Sequence, residues 1–204
     1  MLVEPAEGLP FVDRELYVVQ SELYTKWPAN SRSSADLHTA HQAYSAERER
    51  GAHPDYVLFN GAWRAFDFES GGVPLGPVFA GQAVRLLAAN AGPNLASNLQ
   101  LVGATLDRVY ALGDLTQPPS VGLQSAWLPA GAAVVADVYL TVPGVLTLID
   151  GSLTRATELG AAPQLLVLDP ALAATPAAAL GAMLLLNATQ RAQALEAYSP
   201  QFFE

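Results

Sequence analysis

The chain has 204 residues, of which 51% are hydrophobic and 14% charged, enough for a well-filled core and sparse in surface charge. Its net charge of −9 argues against phosphate-backbone and anionic-membrane partners. With no cysteine, disulfides, thiolate catalysis, zinc ribbons and a blue-copper site built from this chain alone are excluded.

The opening "MLVEPAEGLP" has no basic region and no long apolar run, so it does not read as a signal peptide. The expectation is a cytoplasmic chain, or one whose export signal has been removed. Residues 14–25, "RELYVVQSELYT", alternate and are rich in Val and Tyr, which predicts a strand. A short helix is expected near 33–50, capped by Ser33 or Ser34, running through Leu37, His41 and Tyr44 and ending near Gly51. The "ERER" run reads as its solvated end.

From Asp55 onward the pattern is β. "YVLFNG", "QAVRLLAAN", "NLQLVGATLDRVYAL", "AAVVADVYLTV", "VLTLID" and "PQLLVLD" are apolar or alternating runs separated by turn residues. Asn60-Gly61, Gly92-Pro93-Asn94 and Val142-Pro143-Gly144 mark the turns, the last suiting type II. Strands so spaced predict an all-β sandwich or barrel over residues 1–169. From Pro170 the composition changes. Thr175 and Pro176 suit the start of a helix, and Leu180, Met183, Leu184 and Asn187 recur at helical spacing to about Tyr198. Residues 170–204 therefore read as an appended helical extension. Its stretch "AAALGAMLLL" is too short to span a bilayer.

Catalytic and ligand motifs are scarce. His38 and His41 share one face if helical, a spacing that can start a metal site. No third ligand at clear spacing joins them, so a solvated helix face is the preferred reading. His53 precedes Pro54 and reads as a loop residue. There is no nucleophile elbow, P-loop or dinucleotide fingerprint. Glu22, Asp67 and Glu69 are lone acids that nothing in the sequence pairs.

The order of segments carries a resemblance. "MLVEPAEGLPFVDRELYVVQSELYT", "HPDYVLFNGA", "AANAGPNLASNLQLVGATLDRVYALG", "WLPAGAAVVADVYLTVPGVLTLIDGSLTRA" and "LGAAPQLLVLD" resemble, in order, the second domain of copper-containing nitrite reductases and the related multicopper oxidases. The fold this implies is a cupredoxin-like Greek-key β-sandwich. The resemblance also implies trimers with a type 1 copper in the first domain. A type 2 copper lies between subunits there, taking one His ligand and a catalytic His from the second domain.

The chain departs from that pattern where the chemistry sits. Where the family has Phe-His-Val-Ile-Gly, this chain has "LQLVG", with Gln100 for the catalytic His and Val102 for the pocket-lining Ile. Where the family has Val-Asp-His before a Ser, it has Ile149-Asp150-Gly151-Ser152, so Gly151 holds the ligand position. Glycine cannot ligate, and a neutral amide cannot shuttle protons near neutral pH. The expectation is a non-catalytic assembly subunit with a degenerate copper site, forming a homotrimer or joining a copper-domain protein in a heteromeric complex. No cofactor is expected beyond copper supplied by a partner chain. The alternative is a subunit of a composite copper nitrite reductase or multicopper oxidase whose ligands lie on another chain. A third reading places a small ligand in the space vacated beside Gln100. By resemblance the compartment is the periplasm if an export signal has been removed, and otherwise the cytoplasm.

Overall fold

The computed structural model describes residues 4–26, 43–68 and 70–172. They form two packed sheets. The first has the order β4 (Tyr56–Phe59), β1 (Arg14–Leu23), β6 (Ala83–Asn90), β11 (Ala133–Tyr139), β8 (Leu106–Tyr110) and β9 (Ser120–Leu123). The second has the order β10 (Ala126–Leu128), β7 (Ser97–Val102), β12 (Gly144–Asp150), β13 (Gln164–Leu168) and β5 (Leu75–Phe79). β1 runs parallel to β6, and β13 parallel to β5, while the other pairs within these sheets are antiparallel. This is an all-β sandwich, one of the two architectures the strand pattern predicts, with the Greek-key form the resemblance implies.

Period-two alternation builds the core. Val18, Val84, Leu86, Ala88, Val134, Ala136 and Val138 of the first sheet meet Leu99, Leu101, Leu128, Leu148, Leu165 and Val167 of the second. A smaller cluster of Phe68, Leu166 and Leu168 packs on the outer side of β13.

Asn60 and Gly61 both take positive φ, 50° and 81°, the pairing a type I′ hairpin turn requires. The third expected turn differs from type II, because Gly144 has φ of 149° and already begins β12. A two-stranded ribbon, β2 (Thr25–Lys26) with β3 (Ala43–Tyr44), precedes α1 (Ala46–Arg50). Among the described residues the helix expected near 33–50 is confined to this stretch and ends at Gly51 as expected, while its expected cap, Ser33 or Ser34, and Leu37 lie outside them. Tyr44 is in a strand, Ser45 caps the helix by accepting from Arg48 N, and the "ERER" run is the helix body. The reason is local: the Ser45 hydroxyl satisfies an orphan N–H just before five helix-tolerant residues. His38 and His41 lie outside the described residues, as do Glu69 and the helix expected from Pro176. Among the described residues no helix is long and apolar enough to cross a membrane.

Candidate functional site

β7 and β12 pair antiparallel with Val102 opposite Thr147, Gln100 opposite Ile149 and Leu99 opposite Asp150. Leu99 and Leu101 point into the core, so Asn98, Gln100 and Val102 face outward with Thr147 and Ile149. One residue past the strand, Gly151 N donates to Asn98 O at 2.8 Å. Gly151 is thus a diagonal neighbour of Gln100, a relation that spans roughly 7–8 Å between Cα atoms. The fold brings Gln100, Val102 and Gly151 to one outer face. Gln100 is half-buried, and Val102 and Gly151 are exposed.

The backbone at Gly151 does not demand glycine. Its φ lies outside the left-handed region. A Cβ there would meet Asn98 Cβ at 3.2 Å and Asn98 O at 3.4 Å, which a shift of a few tenths of an ångström relieves.

The preceding residue is tightly held. Asp150 is 1% exposed, and its carboxylate accepts from Ser97 Oγ at 2.8 Å, Arg155 Nη2 at 2.9 Å and Ser152 N at 3.0 Å. Arg155 Nε lies 2.8 Å from the other carboxylate oxygen, and Nη2 also donates to Ala96 O at 2.9 Å. Ser97 in turn accepts from Gln20 Nε2, which crosses from the first sheet. A buried charge with this many partners is stabilised. The network ties the start of α2 (Leu153–Thr157) to the end of β12. Sequence reasoning missed Ser97 and Gln20, although each is a polar residue in phase with core positions, Ser97 with Leu99 and Leu101 and Gln20 with Val18.

The lone acids find local partners. Glu22 accepts from the Tyr24 hydroxyl and from Leu95 N. Burial first, then that hydrogen bond to Glu22, pushes the Tyr24 phenol well above its ordinary range. Asp67 accepts from Ser70 Oγ at 2.7 Å. His53 is exposed and lines a wide cleft of about 810 Å³ with Arg48, Ser152 and Arg155. The two guanidiniums there are already paired, Arg48 with Asp55 at 2.7 Å and Arg155 with Asp150.

A second cleft, of about 410 Å³, has the outward-facing Thr147 and Ile149 of β12 in its wall. Phe59, Phe66, Thr147, Ile149 and Leu153 form much of its wall, while Gln100, Val102 and Gly151 do not line it. Among the described residues, no group of three or more His, Cys, Asp and Glu converges with metal-binding geometry.

Comparison with known proteins gives this architecture its class. The chain is 36% identical to the copper-containing nitrite reductase of Neisseria meningitidis serogroup A over 167 residues, which are 82% of this chain and 40% of that protein. It is 27% identical to that of Rhizobium meliloti over 171 residues, covering 79% and 44%. The copper nitrite reductase structure from Nitrosomonas europaea superposes with a TM-score of 0.61 at 26% identity, over 78% of this chain and 50% of that one. A multicopper oxidase structure at 18% identity and a TM-score of 0.59 shares the fold. No family model matches the chain.

The sandwich is therefore a cupredoxin-like domain. More particularly, the chain belongs to the copper-containing nitrite reductase family. The chain spans about two fifths of the length of the curated relatives it matches.

Proposed function

We propose that this chain is a non-catalytic, cupredoxin-like assembly subunit that uses the outer face of its second sheet to meet other subunits. One observation carries this reading. The three positions where the resemblance implies copper chemistry share one face, and they hold Gln100, Val102 and Gly151 on a backbone that would accept a side chain at 151.

The face has the character of a contact surface. Trp127, 62% exposed, pairs across from Asn98, and Val102, 45% exposed, lies further along β7 on the same face. Large exposed apolar side chains on one face suit burial against protein. The extension from residue 170 is a further candidate for docking on a neighbour.

The residues present do not fit a copper ion at this face. Gly151 offers no donor atom, and Gln100 offers a neutral amide where the family has imidazole.

Light scattering on the purified chain at micromolar concentration, with metal analysis of the complex isolated from its source cells, tests the proposal. A homotrimer, or a stable metal-poor heteromer, is expected. A strictly monomeric chain that joins no complex would sink it. Stoichiometric copper with nitrite reduction in the isolated complex would favour the composite enzyme instead.

A further inference from the structure

The cleft beside Ile149 carries a separate reading. Its volume, about 410 Å³, is in the range of small-molecule sites. Phe59, Phe66, Ile149 and Leu153 line it, together with Arg64 and Asp67.

The loop that supplies Arg64 is fixed. Val73 N donates to Ala65 O at 2.8 Å, Gly72 N to Asp67 O at 2.8 Å and Gln164 N to Phe66 O at 2.9 Å. A Cβ on Gly72 would come within 2.3 Å of Ala65 O, so the loop closes only around glycine. Trp63 Nε1 donates to Leu159 O at 3.1 Å, and the indole sits against Gly160, where a Cβ would be 2.8 Å from Nε1.

These contacts place the Arg64 guanidinium. It lies 5.0 Å from the Trp63 ring centroid, and Nη2 donates to Thr157 O at 3.0 Å. Nη1 has only a long contact to Ser70 Oγ at 3.5 Å and stands 3.9 Å from Asp67 Oδ2. Nη1 is therefore the loosely held end of the guanidinium, and a carboxylate is the strongest partner for it.

We propose that this cleft binds a small monocarboxylate with an apolar body about the size of a ring. The body packs on Phe59, Phe66, Ile149 and Leu153, and the carboxylate accepts from Arg64. Asp67 stands close enough to disfavour a second negative charge on the ligand. Gln100 and Gly151 do not line the site, but Thr147 and Ile149 belong both to its wall and to the face proposed for assembly, so oligomeric mass and ligand affinity are measured separately.

Titration of the full chain with 3-phenylpropionate and with its neutral amide, followed by NMR and calorimetry, tests it. The acid should bind at least about tenfold more tightly than the amide. Resonances of the 59–67 and 147–157 segments should move. Arg64→Gln should weaken the acid at least about tenfold, while Asp67→Asn should strengthen it. Equal affinity for acid and amide overturns the proposal, as does an Arg64→Gln chain that binds unchanged. Weaker binding to Asp67→Asn overturns the anionic assignment. No saturation below about 10 mM also overturns it. Should Arg64→Gln fail to fold, the acid and amide compared on the unaltered protein decide the question.

Discussion

Asp150 and Gly151 are neighbours in sequence, yet they face opposite sides of the second sheet and obey different constraints. Asp150 points inward, where burial makes every unmet hydrogen bond costly, and Ser97, Ser152 and Arg155 all converge on it. Gly151 points outward, where its φ is ordinary and a side chain would meet only Asn98. Inward residues of this segment are set by packing, while the outward ones are left open to whatever the surface does. A second buried acid makes the same demand for partners on the outer face of the first sheet, out of phase with the core residues Ala136 and Val138. Asp137 is 2% exposed and takes both Arg85 Nε at 2.7 Å and Nη2 at 3.1 Å. Arg85 Nη2 also reaches Pro10 O at 2.8 Å, so the pair helps hold the segment before β1.

Four measurements break or sharpen the comparison. The largest effect should come from Arg155→Leu, which strands the Asp150 charge and should cost about 3–5 kcal/mol in urea unfolding. Adding Asp150→Asn should return part of that loss; no return would mean the ion pair is not what Arg155 provides. Ser97→Ala should cost about 1–2 kcal/mol, because Gln20 Nε2 and the Asp150 carboxylate both lose a partner.

A pH effect comes next. Folding raises the Tyr24 phenol above its ordinary value of 10.0, so the native state favours the neutral phenol. Its contribution is fully present below that pH and is lost as pH rises toward the folded value. Stability should therefore decline in alkali, and Tyr24→Phe should reduce the decline. An unchanged alkaline slope would remove Tyr24 as its source.

The smallest effect is expected at the outer face. Gly151→His should change stability by no more than about 1 kcal/mol, since lost chain entropy in the unfolded state offsets the crowding at Asn98. A cost above about 3 kcal/mol would show that glycine is structural here, and the contrast with Asp150 would fail. The lone imidazole should not retain copper through dialysis, because stable sites use three or four ligands.

Much of the sandwich was legible in the chain because the long strands alternate. β1, β6, β11, β12 and β13 follow runs in which every second residue is apolar or the whole segment is buried. β5, β9 and β10 carry no such pattern. β5 is interrupted by Gly76-Pro77, β9 is exposed along most of its length, and β10 has three residues. α2 escaped notice because five residues carry no helical period. At the candidate site, the identities of Gln100, Val102 and Gly151 were plain from the sequence, but their common face rests on the register of β7 with β12.

The sequence by itself determined the strand periodicity, the turn at Asn60-Gly61 and the glycine at 151, since these depend on local sterics and side-chain identity. Only the tertiary structure decided which polar groups share a buried space. Arg85 meets Asp137 across 52 positions, and Ser97 meets Asp150 across 53. It also decided that Arg64 and Ile149 line one cleft. Such partners are chosen by strand register and by the cost of burying a polar group alone, and neither is encoded at short range.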